Sequence, residues 1–182
     1  MKEFEFTLKY TLPSKTPDPE SYLDRLFEAG CDDALVGVGV KGRISLEFTR
    51  AARNASDAVL SAMADVQAAI PDARFVEASP DMVGMTEVAT LAGCSRQNIR
   101  KLALSDDTFP TAVHGGSVEL FHLAEVLDWM SAKGRAEVDP SLVEVAMFNR
   151  EINLVKELDR LPGRQPSQAL VKAYARRSRA VA

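Results

Sequence analysis

Within the first eighty residues the spacing of apolar side chains switches between two and about 3.6 residues, and the order of those switches admits few folds. Glu3 to Leu12 places Phe4, Phe6, Leu8, Tyr10 and Leu12 at alternate positions, which predicts a strand with one buried face. Asp18 to Ala29 follows with helical spacing at Tyr22, Leu23, Leu26 and Phe27, opened by Pro19 and closed by Gly30. Ala34 to Val40 and Arg43 to Thr49 read as two further strands joined by a tight turn at Lys41-Gly42. Asn54 to Ile70 reads as a helix with Val59, Leu60, Met63, Val66 and Ile70 along one side and Pro71 as its stop, and Ala73 to Glu77 as a short strand.

The predicted order, βαββαβ, resembles the ferredoxin-like split βαβ sandwich, in which two helices cover one face of an antiparallel sheet. That likeness concerns architecture and carries no chemistry. Gly37-Val38-Gly39-Val40-Lys41-Gly42 spells GxGxxG, but a dinucleotide site needs a helix after its glycines to hold the pyrophosphate. A strand follows here, so the segment is read as a hairpin.

A chain of 182 residues fits two small modules with connecting helices, and 46% apolar with 26% charged residues is ordinary for a folded domain. MKEFEFTLKY alternates apolar and charged residues and lacks the apolar run of a signal peptide, and no stretch is long enough to span a bilayer. The expectation is a cytoplasmic protein with reduced thiols and no membrane association. Cys31 and Cys94 are far apart and His114 and His122 flank a single turn, so no metal-ligand spacing exists and no cofactor is expected. Arg53-Asn54 at a strand end lacks an acid–base pair or an activated nucleophile, and the chain is not read as an enzyme.

Met85 to Leu104, MTEVATLAGCSRQNIRKLAL, has the spacing of a helix-turn-helix. Ala89 is the small residue where the two helices would touch, Gly93 is the turn glycine, and Val88, Ile99 and Leu102 pin the second helix. Ser95 caps that helix, leaving Arg96, Gln97, Arg100 and Lys101 on its outer side. Arginine can address guanine and glutamine can address adenine in a major groove, while Lys101 suits phosphate; Ser95 and Asn98 are secondary candidates. Thr111 to Val113, the turn His114-Gly115-Gly116-Ser117 and Val118 to Phe121 read as a β-hairpin wing, and Leu123 to Met130 as a third helix that His122 caps, with Trp129 beside the small core that Cys94 helps to fill.

Residues 82 to 130 thereby resemble the winged helix-turn-helix of the MerR and excisionase (AlpA-like) families. The resemblance implies that Arg96, Gln97 and Arg100 read bases and that His114, Gly115, Gly116 and Ser117 lie on the DNA backbone or in the minor groove. MerR proteins place this unit at the N-terminus, whereas an entire domain precedes it here, so no effector chemistry carries over.

The fold class is therefore α+β, with a domain at 1–80, a winged helix-turn-helix at 81–131, a helix at 138–161 and a basic tail at 162–182. The net charge is −4, with three bases against seven acids in 81–130, while from Arg160 onward six bases meet no acid. Val145, Phe148, Ile152 and Val155, flanked by Leu142 and Leu158, form a stripe for either dimerisation or packing on the protein's own body. The expected function is sequence-specific transcriptional regulation by a homodimer on double-stranded DNA, with residues 1–80 sensing a small molecule, binding a protein or dimerising. The alternatives are an antitoxin-like interaction protein that autoregulates and an excisionase-like architectural factor.

Overall fold

The computed structural model describes residues 1–13, 18–161 and 168 of a mixed α+β protein. The basic tail at 162–182 lies outside the described residues, apart from Gln168. Strands β1 (Lys2–Thr11), β2 (Ala34–Gly37), β3 (Arg43–Ala52) and β4 (Arg74–Ser79) form one sheet in the order β2-β3-β1-β4, every neighbour antiparallel. Alternation in β1 turns Phe4, Phe6, Leu8 and Tyr10 to one face, where β3 adds Ile44, Leu46 and Phe48. Phe6 and Phe48 face each other in register with rings stacked 5.2 Å apart.

Three helices cover that face. Helix α2 (Ala55–Ala69), capped by Asn54 accepting from the Asp57 N–H at 2.8 Å, buries Ala55, Ala58, Val59, Ala62, Val66 and Ala69. Leu60, expected inside, is exposed. The alanines set the contact face, because small side chains let the helix approach the sheet closely, and a count of large apolar residues misses them. The predicted helix over 18–29 is instead a 3-10 turn at Pro19–Tyr22, capped by Asp18, followed by the short helix α1 (Leu23–Glu28). It buries only Leu26, so Leu23 and Phe27 remain exposed.

Strand β2 ends at Gly37 rather than Val40. Arg43 N–H closes a turn onto Val40 O at 3.0 Å, Gly42 sits at φ +74°, and Leu12 N–H donates to Gly42 O, which pulls the chain away from the ladder.

The third covering helix is α6 (Pro140–Asp159), begun by Asp139 accepting from the Ser141 N–H at 2.8 Å. It lies over β1 and β4 beside α2, which has α1 on its other side. Val145 is buried in the sheet's core with Phe148 and Ile152 against it, which answers what covers this stripe; Val155 and Leu158 turn outward. Asn153 bridges Ala78 N–H and O, Lys156 donates to Val76 O at 2.8 Å, and Asn149 donates to Pro80 O at 3.1 Å.

A second core gathers β5 (Met82–Gly84), α3 (Met85–Leu91), α4 (Arg96–Ser105), β6 (Leu120–His122) and α5 (Leu123–Ala132). Phe109 packs edge-on against Phe121 and Trp129, and Ala146 of α6 closes the base. Of the expected hairpin of Thr111–Val113 with Val118–Phe121 only a short stretch pairs: Val113 N–H donates to Leu120 O at 2.7 Å, and Leu120 N–H donates to His114 O at 3.1 Å. Strand β6 pairs with β5, and a single bridge joins His114 to Leu120. Val83 and Phe121, opposite each other, both bury their side chains in this core, whereas Val113 and Val118 of the expected hairpin are exposed. His122 occupies the N-cap position of α5, but its side chain accepts no bond from the helix's first N–H groups. Its Nδ1 lies 2.9 Å from Asp81 Oδ1, and Asn153 donates to Asp81 Oδ2 at 2.9 Å, so a buried pair locks the joint between the two cores.

Candidate nucleic-acid interface

The site grows from the turn between α3 and α4. Val88 and Ala89 bury one side of α3, and the helix ends as Gly93 enters the left-handed region at φ +60°. Gly93 N–H then donates to Thr90 O and Cys94 N–H to Ala89 O, the two bonds of a Schellman motif. Ser95 Oγ accepts from the Asn98 N–H at 3.2 Å and starts α4.

Ile99 is fully buried and Leu102 is half-buried against the second core, which fixes the rotation of α4 about its axis. Arg96, Gln97, Asn98, Arg100 and Lys101 consequently project into solvent. Among the described residues no carboxylate pairs with Arg96, Arg100 or Lys101.

Arg96 and Arg100, one turn apart, line a groove of about 490 Å³ with Thr86, Glu87, Gly116 and Ser117. Of the residues expected to contact a ligand, these two arginines and the second half of the 114–117 turn share one concavity. Gln97, Asn98 and Lys101 lie on the open surface of α4 outside it, and Ser95 is engaged as the cap. His114 and Gly115 sit exposed on the loop, and nothing lies within 4 Å of where a Gly115 Cβ would be. Thr86, Glu87 and Glu119, which also line the groove, were not legible as site residues, since nothing in their spacing ties the start of α3 to the end of the loop.

The acidic balance of 81–130 looks different once its partners are located. Asp81 is buried with His122 and Asn153, Glu87 accepts from the Gly84 N–H at 3.1 Å, and Glu125 pairs with Arg150 at 2.8 Å. Asp106 accepts from the Thr108 hydroxyl and N–H and pairs with Lys133 at 2.9 Å; the Thr108 hydroxyl, foremost, holds its carboxyl well below the usual carboxylate range. Four of the seven acids are thus tied into the fold, and the outer side of α4 from Arg96 to Lys101 carries only positive charge. Cys94 is half-buried against the second core, as a small apolar residue would be.

A second charged cluster lies away from this groove and escaped sequence reading. Arg50, buried on β3, donates to both carboxylate oxygens of Asp33 at 2.8 and 2.9 Å, to Asp65 at 2.7 Å, to Ser61 and to Gly30 O, with its guanidinium over the Phe48 ring. These bonds occupy the guanidinium and join β3, α2 and the turn before β2, a structural task. Among the described residues no three metal-ligating side chains cluster, and no helix is long and apolar enough to cross a membrane. No family model matches the chain, and neither a curated protein nor a solved structure matches it.

Proposed function

We propose that this protein is a sequence-specific DNA-binding regulator that acts as a homodimer on an inverted repeat, with α3 and α4 as a helix-turn-helix and the 114–119 loop as a reduced wing. One observation carries the reading: Arg96 and Arg100, free of carboxylate partners among the described residues, share an open groove with Gly116 and Ser117. Guanidinium groups presented on a short, rigidly seated helix suit bidentate contact with guanine O6 and N7, and a glycine-rich loop beside them lets a phosphate backbone approach closely.

Gln97 extends the reading surface, and Lys101 at the periphery of α4 suits phosphate. The strand order β2-β3-β1-β4 is the one a split βαβ sandwich requires and supports a ferredoxin-like N-terminal module. Because α6 and the Asp81–His122 pair tie that module to the second core, its position relative to bound DNA would be set by the fold rather than by a linker.

The test is selection of bound duplexes from a random pool with the full chain. The expected product is a motif of two symmetric half-sites about 34 Å apart, one turn of B-DNA. Recovery of no enriched motif, together with equal retention of any duplex at moderate salt, removes the proposal.

A further inference from the structure

Helix α4 presents one side chain that the arginine groove does not account for. Ile99, Leu102 and Ala103 turn inward, so the line opposite them carries Gln97, Arg100 and Leu104, spaced i, i+3 and i+7. On a helix with one buried face that line is ordinarily polar. Leu104 is 81% exposed on it.

An isolated exposed leucine needs no explanation on most surfaces, but this one is not isolated. Between Met82 and Ala132 the other exposed large apolar side chains are Met82, Val113 and Val118. Val118 lines the groove with Arg96 and Arg100. A second hollow, of about 240 Å³, adjoins that groove at Met85, Arg100 and Glu119 and has Leu104 on its wall. Leu104 and the two arginines therefore belong to one continuous surface.

We propose that Leu104 contacts the 5-methyl group of a thymine, adding an apolar element to a half-site whose guanines Arg96 and Arg100 address. Leu104 can neither donate nor accept a hydrogen bond, and thymine is the base that offers an apolar group in the major groove. Its neighbours one turn back, Arg100 and Lys101, have no carboxylate partner among the described residues. A leucine set beside two free cations suits a polyanion that carries methyl groups better than an apolar protein surface. Four residues separate Leu104 from Arg100, about 6 Å along the helix axis, which matches roughly two steps of 3.4 Å on one strand. The thymine is therefore expected within two or three steps of a guanine.

The contact rests on α4 being the recognition helix, and its test separates the two. In the duplex selected by the full chain, each thymine is replaced in turn by deoxyuridine, which deletes only the methyl group. Wild type is expected to lose about fourfold in affinity at one thymine per half-site, the worth of burying one methyl-sized group. Leu104→Ala alters an exposed side chain and is expected to keep the far-ultraviolet dichroism and the guanine preference. It binds the thymine duplex more weakly than wild type and no longer distinguishes thymine from deoxyuridine, whereas Leu104→Met keeps the distinction. A selection that yields no motif removes the recognition helix and the thymine contact together. A recovered motif in which every deoxyuridine is neutral for wild type, or costs wild type and Leu104→Ala equally, leaves DNA recognition standing and overturns the contact.

Discussion

Val145 and Ala146 are consecutive on α6, yet their side chains enter different cores: Val145, 1% exposed, packs with the sheet, and Ala146, 0% exposed, packs with Trp129 and its neighbours. Successive helical residues point about 100° apart, so one helix can be wedged between two modules and belong to both.

Shared burial predicts shared unfolding. Urea denaturation followed by Trp129 fluorescence, which reports the second core, and by far-ultraviolet dichroism, which reports the whole chain, is expected to give one coincident transition. Ala146→Leu forces extra methylenes into a filled space and is expected to cost about 1–3 kcal/mol, shifting both curves together. Two separated midpoints in the wild type would show that α6 does not couple the cores.

Arg50 holds β3, α2 and the turn before β2 through Asp33 and Asp65. Replacing it with alanine leaves two carboxylates facing each other without their cation. The expected loss is about 3 kcal/mol, the lower end for breaking a buried ion pair, because both carboxylates keep some contact with water. Chemical denaturation of Arg50→Ala against wild type measures it, and a loss below about 1 kcal/mol would place the pair among ordinary surface salt bridges.

The two cysteines should differ in reactivity. Burial, with the nearby Asp65 carboxylate adding to it, pushes the Cys31 thiol up to about 11, so at pH 8 its nucleophilic thiolate is scarce as well as inaccessible. Cys94 is half-buried on the far module. Iodoacetamide at pH 8 is expected to label Cys94 in the native protein and Cys31 only after denaturant is added, as read by peptide mass spectrometry. Equal native rates at both positions would contradict this placement.

Arg96 and Lys101 stand on the same exposed helix in different relations to the groove, and their substitutions separate base reading from phosphate contact. Arg96→Ala is expected to cost about 1–3 kcal/mol of DNA affinity and to relax preference at one base position. Lys101→Ala is expected to weaken all duplexes alike and to lower the slope of log affinity against log salt by about 1. Titrations at several salt concentrations on the selected motif and on one-base variants check both; a uniform loss for Arg96→Ala would assign it to phosphate.

The local elements were legible in the sequence because their causes are local. Alternation from Phe4 to Leu12 produces β1, Asn54 and Ser95 cap α2 and α4 within their own turns, and Gly93 takes the left-handed conformation that ends α3. The outward arginines of α4 follow from a buried Ile99 three or four residues away at most, which spacing alone can express.

What only the tertiary structure decided involves partners distant in the chain. Strands β5 and β6 are three residues each, too short to carry a period, and they exist because Val83 and Phe121 share a core. Asp81 finds His122, Arg50 finds Asp33 and Asp65, and Val145, Phe148 and Ile152 of the stripe on α6 find the sheet's core, while Val155 and Leu158 stay exposed. A periodic pattern states that a face must be buried but not against what, since burial is non-directional and the chain's own fold chooses the covering surface.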